Sequence, residues 1–255
     1  MHPRGQGQGH SAVFIALLGS PLFKHRHGPS LTSHPTTTTT MQAPITHTED
    51  QRWTILSDFV EMVCADRDDS HGYEHMKAVA ETSRMIVQTD FEEPDAPMLI
   101  DAITAAWLHD VADHKYDKDG TLDAILDEFG YKHIANFDDI KKVIKLVSYS
   151  SENKAILSGK PLNYEELLGS YYTLVRHVVS DADKLEALGK IGIERTIEYT
   201  RNTNPGYSNE EIVADVKKHA DEKLLRLADE FIRTPTAIAI ARVRHNEMLS
   251  ELAKL

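Results

Sequence analysis

Two adjacent side chains that both bind divalent metals, His109 and Asp110, lie within a helix-like stretch at residues 103–110. The other side chains of this stretch are mostly apolar. Polar groups on an apolar face are costly to bury unless something compensates them, and a divalent cation held by imidazole and carboxylate does so. The pair is therefore interpreted first as part of a metal site.

Two further segments place metal-binding side chains on predicted helices. Upstream, His75 lies in a helix expected at about residues 73–89, on the same stripe as apolar positions. Downstream, Asp181 and Asp183 lie in a helical stretch at about residues 171–199. These aspartates are two residues apart and diverge on a helix, so both are not expected to bind one ion.

The order of these motifs resembles the HD superfamily of metal-dependent phosphohydrolases, which are all-helical. His-Asp-Val-Ala-Asp at 109–113, followed by Lys115, is one part of the resemblance. Asp-Ala-Asp-Lys-Leu-Glu-Ala-Leu-Gly-Lys-Ile-Gly-Ile at 181–193 is another, and both look like the subgroup that contains bacterial nucleotide pyrophosphohydrolases. The resemblance extends from about residue 57 to near the C-terminus.

The resemblance implies four metal ligands: His75, His109, Asp110 and Asp183. Asp183 matches the family's Ala-Asp-Arg/Lys-Leu motif, which leaves Asp181 as a residue behind the ligands or on the helix surface. Residue types alone suit manganese, iron, cobalt, nickel, zinc or magnesium. The family resemblance makes manganese or magnesium the expected cofactor.

Asp113 and Lys115 are the candidates for catalysis. Asp113 follows Asp110 by three residues and is expected to act as general acid or base, or to orient the attacking water. Lys115 is expected to offset phosphate charge. An exposed helix-end carboxylate and a solvated loop lysine are the ordinary alternatives. The candidates for substrate contacts, each with packing or surface exposure as its alternative, are His114, Lys184, Tyr73, His219, Lys223, Arg242 and His245.

The function that the resemblance implies is hydrolysis of nucleoside triphosphates, ribo or deoxy, to monophosphate and pyrophosphate. A nucleotide phosphatase or phosphodiesterase would use the same four ligands. A two-metal oxygenase would need further histidine ligands, for which His114, His133 and His177 lie in the right interval. The remaining alternative is a helical module that binds metal or nucleotide without turnover.

The composition of the chain limits its partners. Its 255 residues include 28 basic and 40 acidic side chains, a formal net charge of -12, which argues against a broad nucleic-acid or membrane surface. A nucleotide or another small phosphorylated molecule must then meet a local cationic pocket or a metal. One cysteine, Cys64, permits no intrachain disulfide and suits the cytoplasm. The sequence is compatible with a homodimer.

The periodicity of apolar residues predicts an all-α HD-domain helical bundle, with one domain at residues 48–255. Residues 1–47 are expected to be a disordered extension, and their acid-free part, 1–40, suits a targeting segment or an upstream-extended gene start. Thr48 and Gln51 form a candidate capping box. Gly130 is expected to end a helix at 121–129, and the turn at 148–151 is expected to end another helix. Two helices, at 209–233 and 235–255, are expected to finish the chain.

Overall fold

The computed structural model describes residues 48–67, 71–91 and 96–255, and within these residues all regular structure is helical. The predicted all-α bundle is confirmed. The extension at 1–47 lies outside the described residues. The helices are α1 (Glu49–Val63), α2 (Tyr73–Asp90), α3 (Ala96–Leu108), α4 (Thr121–His133), α5 (Phe137–Lys145), α6 (Tyr149–Leu157), α7 (Tyr164–Glu186), α8 (Gly189–Thr203), α9 (Asn209–His219) and α10 (Pro235–Leu252), with π-helical turns at Ala220–Leu224 and Leu227–Phe231.

The first helix, α1, begins at the predicted capping box. The Thr48 hydroxyl accepts the Gln51 backbone N–H at 3.3 Å, and the Gln51 side chain accepts the Thr48 N–H at 3.0 Å. Both bonds satisfy backbone donors that have no partner inside the helix. The start of the first helix was therefore correctly predicted.

Helix α3 is the centre of the bundle and contacts α1, α2, α5 and α7. Ala102, Ala105 and Ala106 are fully buried, and their small side chains let neighbouring helices approach closely. The large Trp107 fills the space beside α1, with its ring centroid 5.3 Å from that of Trp53. Among the described helices, none is both long enough and apolar enough to cross a membrane.

The helix before the His-Asp pair ends earlier than predicted. Helix α3 stops at Leu108, and residues 109–112 form turns instead of continuing the helix. Val111 N–H donates to Leu108 O at 3.2 Å, and Asp113 N–H donates to Asp110 O at 3.1 Å. These short-range bonds replace helical ones and turn the chain at the end of a buried helix.

The sequence predicted that Gly130 ends α4. Instead, Gly130 lies inside this helix, which continues to His133. Gly130 is buried, and a Cβ there would overlap the ring of Phe137, the first residue of α5. A tertiary contact thus requires glycine at this position, although glycine lowers helix propensity.

We expect Gly130→Ala to lower the free energy of unfolding by about 1–3 kcal/mol, because the added methyl overpacks the buried Phe137 ring. Urea denaturation measures the change. Gly206→Ala is the control, because a Cβ at Gly206 meets no atom within 4 Å. Equal losses in the two variants would contradict the packing argument.

The turn at 148–151 begins a helix, whereas the sequence predicted that it would end one. Helix α5 already ends at Lys145, and the Ser148 hydroxyl accepts the Ser151 N–H at 3.4 Å as the N-cap of α6. Serine and neighbouring polar residues are compatible with a turn or with an N-cap, so composition alone does not separate these roles.

A glycine-dependent break divides the stretch predicted at 171–199 into α7 and α8. Gly189 starts α8 with a left-handed φ of 84°. Gly192 approaches the Ala187 carbonyl so closely that a Cβ would overlap it. These two glycines allow the break between α7 and α8. Towards the C-terminus, the helix expected at 209–233 is interrupted at Ala220 by the π-helical turns.

Candidate metal centre

The four side chains assigned as ligands meet where α2, α7 and the end of α3 converge. His75 Nε2 lies 3.4 Å from Asp183 Oδ1, and His109 Nε2 lies 3.8 Å from the same oxygen. His109 Nε2 is also 3.8 Å from Asp110 Oδ2. His75, His109 and Asp110 each offer one ligand atom, and these three atoms lie within 4.8 Å of one another. The arrangement offers two nitrogens and two carboxylates to one cation.

The His109 imidazole is oriented for metal binding. Its Nδ1 lies 2.8 Å from the Ala106 carbonyl oxygen and can donate to it, so Nε2 is the nitrogen that faces the carboxylates. The side chain is 1% exposed, and Nε2 has no hydrogen-bond partner. A buried nitrogen without a partner beside two carboxylates fits a cation.

The electrostatics of the cluster also fit a cation. Burial lowers the pKa of His109, but the charges of Asp110 and Asp183 outweigh burial and raise this pKa to about 9. Burial opposes ionisation of Asp183, yet the neighbouring His109 and His75 imidazoles hold the pKa of its carboxyl well below the usual range. The two carboxylates thus create a negative local potential, which favours the binding of a divalent cation.

The loop after α3 carries both catalytic candidates at the edge of the cluster. Asp113 Oδ1 accepts the Lys115 backbone N–H at 2.8 Å, so this carboxylate also shapes the loop. The Lys115 ammonium lies 3.0 Å from His71 Nε2, near the start of α2. His114 is 87% exposed, with Nδ1 3.6 Å from Asp113 Oδ1.

Lys223 lies on the first π-helical turn and faces the same region. Burial lowers the pKa of its ammonium, the charge of Asp183 raises it, and Lys115 lowers it further. The charges of Asp183, a proposed metal ligand, and of Lys115 thus both act on Lys223, whose ammonium lies 5.2 Å from the ring centroid of Tyr149. His219 precedes this turn, and burial and the charge of Lys223 lower its pKa. Turns of π-helix are rare and frequently occur at functional sites.

Lys184 is not available to substrate phosphates, which corrects the prediction for this residue. Its ammonium is buried, donates to the Ser180 hydroxyl and lies 3.3 Å from Glu152 Oε2. A lysine with these buried partners stabilises the protein interior. Sequence adjacency to Asp183 was therefore a misleading guide to its role.

Tyr73 is a packed aromatic side chain, the ordinary alternative to base stacking. Its hydroxyl shares a hydrogen bond with Ser57 at 2.8 Å. Its ring centroid lies 5.5 Å from that of Trp107 in the core. These contacts direct Tyr73 towards α1 and α3, which gives it a packing role in the core.

Asp181 lies behind the ligands and is fully buried, not on the helix surface. Its Oδ2 accepts the backbone N–H groups of Arg233 and Thr234 at 2.9 and 2.6 Å, just before α10. Arg242 is exposed on α10, and His245 is half-buried there. In the described part of the chain, neither forms a hydrogen bond or ion pair with a metal-ligand residue.

The histidines that a two-metal oxygenase would require lie in other surroundings. The ring centroid of His133 lies 5.0 Å from that of Phe129, and the ring centroid of His177 lies 5.9 Å from that of Tyr164. Burial, reinforced by neighbouring arginines, lowers the pKa of His177 to about 4. The described metal-ligand cluster does not include either histidine.

Two residues near the cluster were not assigned from the sequence. His71 contacts Lys115, and its position four residues before His75, just ahead of α2, is a usable signal. Arg67 donates hydrogen bonds to the carbonyls of Asp110 and Val111. Backbone acceptors leave no signature in sequence, so nothing in the pattern identified Arg67.

Comparison with known proteins agrees with this architecture. No protein-family model matches the chain. YpgQ of Bacillus subtilis is 29% identical over 201 residues, which cover 77% of this chain and 88% of YpgQ. The crystal structure of YpgQ in complex with ADP is similar with a TM-score of 0.58 and 23% identity, covering 82% of this chain and 95% of YpgQ.

Two further solved structures share the fold. A Lactobacillus plantarum protein is similar with a TM-score of 0.59 and 25% identity, over 82% of this chain and 96% of its own. An HD-superfamily hydrolase from Bacillus thuringiensis is similar with a TM-score of 0.53 and 23% identity, over 80% of this chain and 95% of its own. The shared fold extends over nearly the full length of each of these proteins.

Proposed function

We propose that the chain is a metal-dependent phosphohydrolase of the HD-domain superfamily, whose fold it shares with the Bacillus thuringiensis hydrolase, and that it converts nucleoside triphosphates to monophosphate and pyrophosphate. The observation that carries the proposal is the meeting of His75, His109, Asp110 and Asp183. Their imidazole and carboxylate groups would hold manganese or magnesium. When bound, the cation supplies charge neutralisation at phosphoryl oxygens and makes water more acidic.

The protein's own side chains divide the remaining tasks. Lys115 and Lys223 carry positive charge at the rim of the cluster and would bind the phosphates. Asp113 would orient the attacking water or move its proton, since it lies in the turn that carries Asp110. His114 and His219 would contact the outer phosphates.

A nucleotide is the favoured substrate for two reasons. YpgQ, which has the same fold, has been crystallised with ADP. The chain carries a formal net charge of -12, so lysines near the proposed metal ligands would give a local attraction for a small polyanion. Cleavage between the α and β phosphates is the specific form of the proposal.

Product analysis tests this function. Metal-stripped protein is given ribo- and deoxyribonucleoside triphosphates with manganese or magnesium, and the products are separated by anion-exchange chromatography. We expect monophosphate and pyrophosphate in equal amounts, with no turnover before metal is added. An α,β-methylene triphosphate is the control and should stay intact, because its α–β bridge resists hydrolysis.

Each other result contradicts a defined part of the proposal. Orthophosphate without pyrophosphate from every nucleotide would exclude α–β cleavage and favour a phosphatase. Turnover that is unchanged by chelation would exclude the metal. No turnover of any nucleotide with either ion would favour a binding module.

A further inference from the structure

The backbone that carries Asp110 is held by an arginine from a different part of the chain. Arg67 follows α1, and its Nη1 donates to the Asp110 carbonyl oxygen at 2.7 Å. Its Nη2 donates to the carbonyl oxygen of Val111, the next residue. Both carbonyls belong to the turns that follow Leu108, the last residue of α3, and the Asp110 carbonyl also accepts the Asp113 N–H at 3.1 Å.

The chemistry of arginine suits this position. A planar guanidinium presents two N–H donors side by side and can bind two consecutive carbonyls, whereas a lysine ammonium cannot reproduce that fork. Its positive charge also lies at the C-terminal end of α3, where the helix dipole is negative. Arg67 therefore fits both the geometry and the electrostatics of the turn.

The same side chain contacts the far end of the turn. The guanidinium carbon of Arg67 lies 4.5 Å from the ring centroid of Tyr116, an arrangement typical of a cation–π contact. The Tyr116 N–H donates to Asp113 O at 2.9 Å, and Tyr116 follows Lys115 directly. One guanidinium thus connects the metal-ligand end of the turn with the end that carries Lys115.

We propose that Arg67 is a positioning residue that sets the affinity of the metal centre. It holds the Asp110 backbone so that the carboxylate faces His109 and His75. This inference rests on the proposed function only in assuming that the cluster binds a divalent cation. Groups that orient metal ligands typically contribute about 10–100-fold to metal affinity, which is the effect expected of Arg67.

Calorimetric titration of metal-free protein with manganese tests the proposal, at a temperature well below unfolding. We expect Arg67→Gln to weaken manganese affinity by about 10–100-fold. Arg67→Lys keeps the charge without the fork and should lie between Arg67→Gln and the unaltered protein. Arg84→Gln is the matched control, because it removes an arginine whose partner is Glu49 on the surface.

A purely structural role predicts a different result. Arg67→Gln would then lower the melting temperature of the metal-free protein while the folded variant bound manganese with unaltered affinity, and that outcome would overturn the proposal. If Arg67→Gln does not fold, Tyr116→Leu and Arg67→Lys decide the question, and unaltered affinity in both would be contrary to it. Failure of the unaltered protein to bind manganese would overturn the proposed function as well.

Discussion

Replacing His109 with alanine is expected to abolish metal retention and hydrolysis together. His109 Nε2 is the atom that faces both Asp110 and Asp183, so its loss removes a ligand between the two carboxylates. The effect on affinity should exceed the roughly 100-fold upper value for removing a group that only orients a ligand. Metal content after dialysis, by mass spectrometry, and the initial rate of pyrophosphate release measure the two losses.

A second histidine in the same protein provides the control. His133 lies on α4, half-buried against Phe129, and is not among the proposed ligands. His133→Ala should keep both metal and activity. If His109→Ala hydrolysed nucleotides at the unaltered rate, the assignment of the metal centre would be wrong.

The proposed metal ligands could be named from the sequence because a cation restricts residue types. Only a few side chains bind divalent metals, and His75, the 109–110 pair and Asp183 occur in helix-like stretches with apolar neighbours. Helical periodicity also predicted the all-α fold. Both signals are local in sequence, which explains why they could be read without coordinates.

Helix ends were harder to predict because tertiary contacts decide them. Gly130 lies inside α4 since the ring of Phe137 occupies the space that a side chain would need. Ser148 is the N-cap of α6, although the polar residues around it are equally typical of a turn that ends a helix. In each case the local pattern allows two structures, and packing or capping partners select one.

Two lysines show the same limit at the site. Lys184 is next to a ligand in sequence, yet its ammonium contacts Glu152 on α6. Lys223 is forty residues beyond Asp183 in sequence, yet it lies on a π-helical turn where the charge of that aspartate raises its pKa. The partners of both lysines come from distant segments, so spacing along the chain could not assign their roles.

The contacts of Lys184 belong to a buried charge cluster behind the metal centre. Glu152 of α6 accepts from Arg176 of α7 at 2.7 Å and from Arg233, which lies two residues before the start of α10. The Lys184 ammonium lies 3.3 Å from the same carboxylate. The side chains of Arg176, Lys184 and Arg233 surround this one buried carboxylate. They thereby connect α7, which carries Asp183, to α6 and to the segment before α10.

We expect Glu152→Gln to lower the free energy of unfolding by about 3–5 kcal/mol, because it leaves buried cations without their anion. Arg176 is fully buried and Lys184 nearly so, and neither can reach water to compensate. Urea denaturation of metal-free protein measures the loss. Glu230→Gln is the control, since Glu230 pairs with Arg226 at the surface, where an ion pair contributes at most about 1 kcal/mol.

The pH dependence of stability tests the charge on Glu152 directly. Burial raises the pKa of this carboxyl, but Lys184 and Arg176 outweigh burial and lower it to about 2, from an ordinary value of 4.5. A depressed carboxyl pKa stabilises the folded state above 4.5, and this contribution is lost as the pH falls towards 2. Glu152→Gln should therefore remove part of the acid sensitivity between these values. An identical pH profile in the variant would mean that the carboxylate charge does not stabilise the cluster.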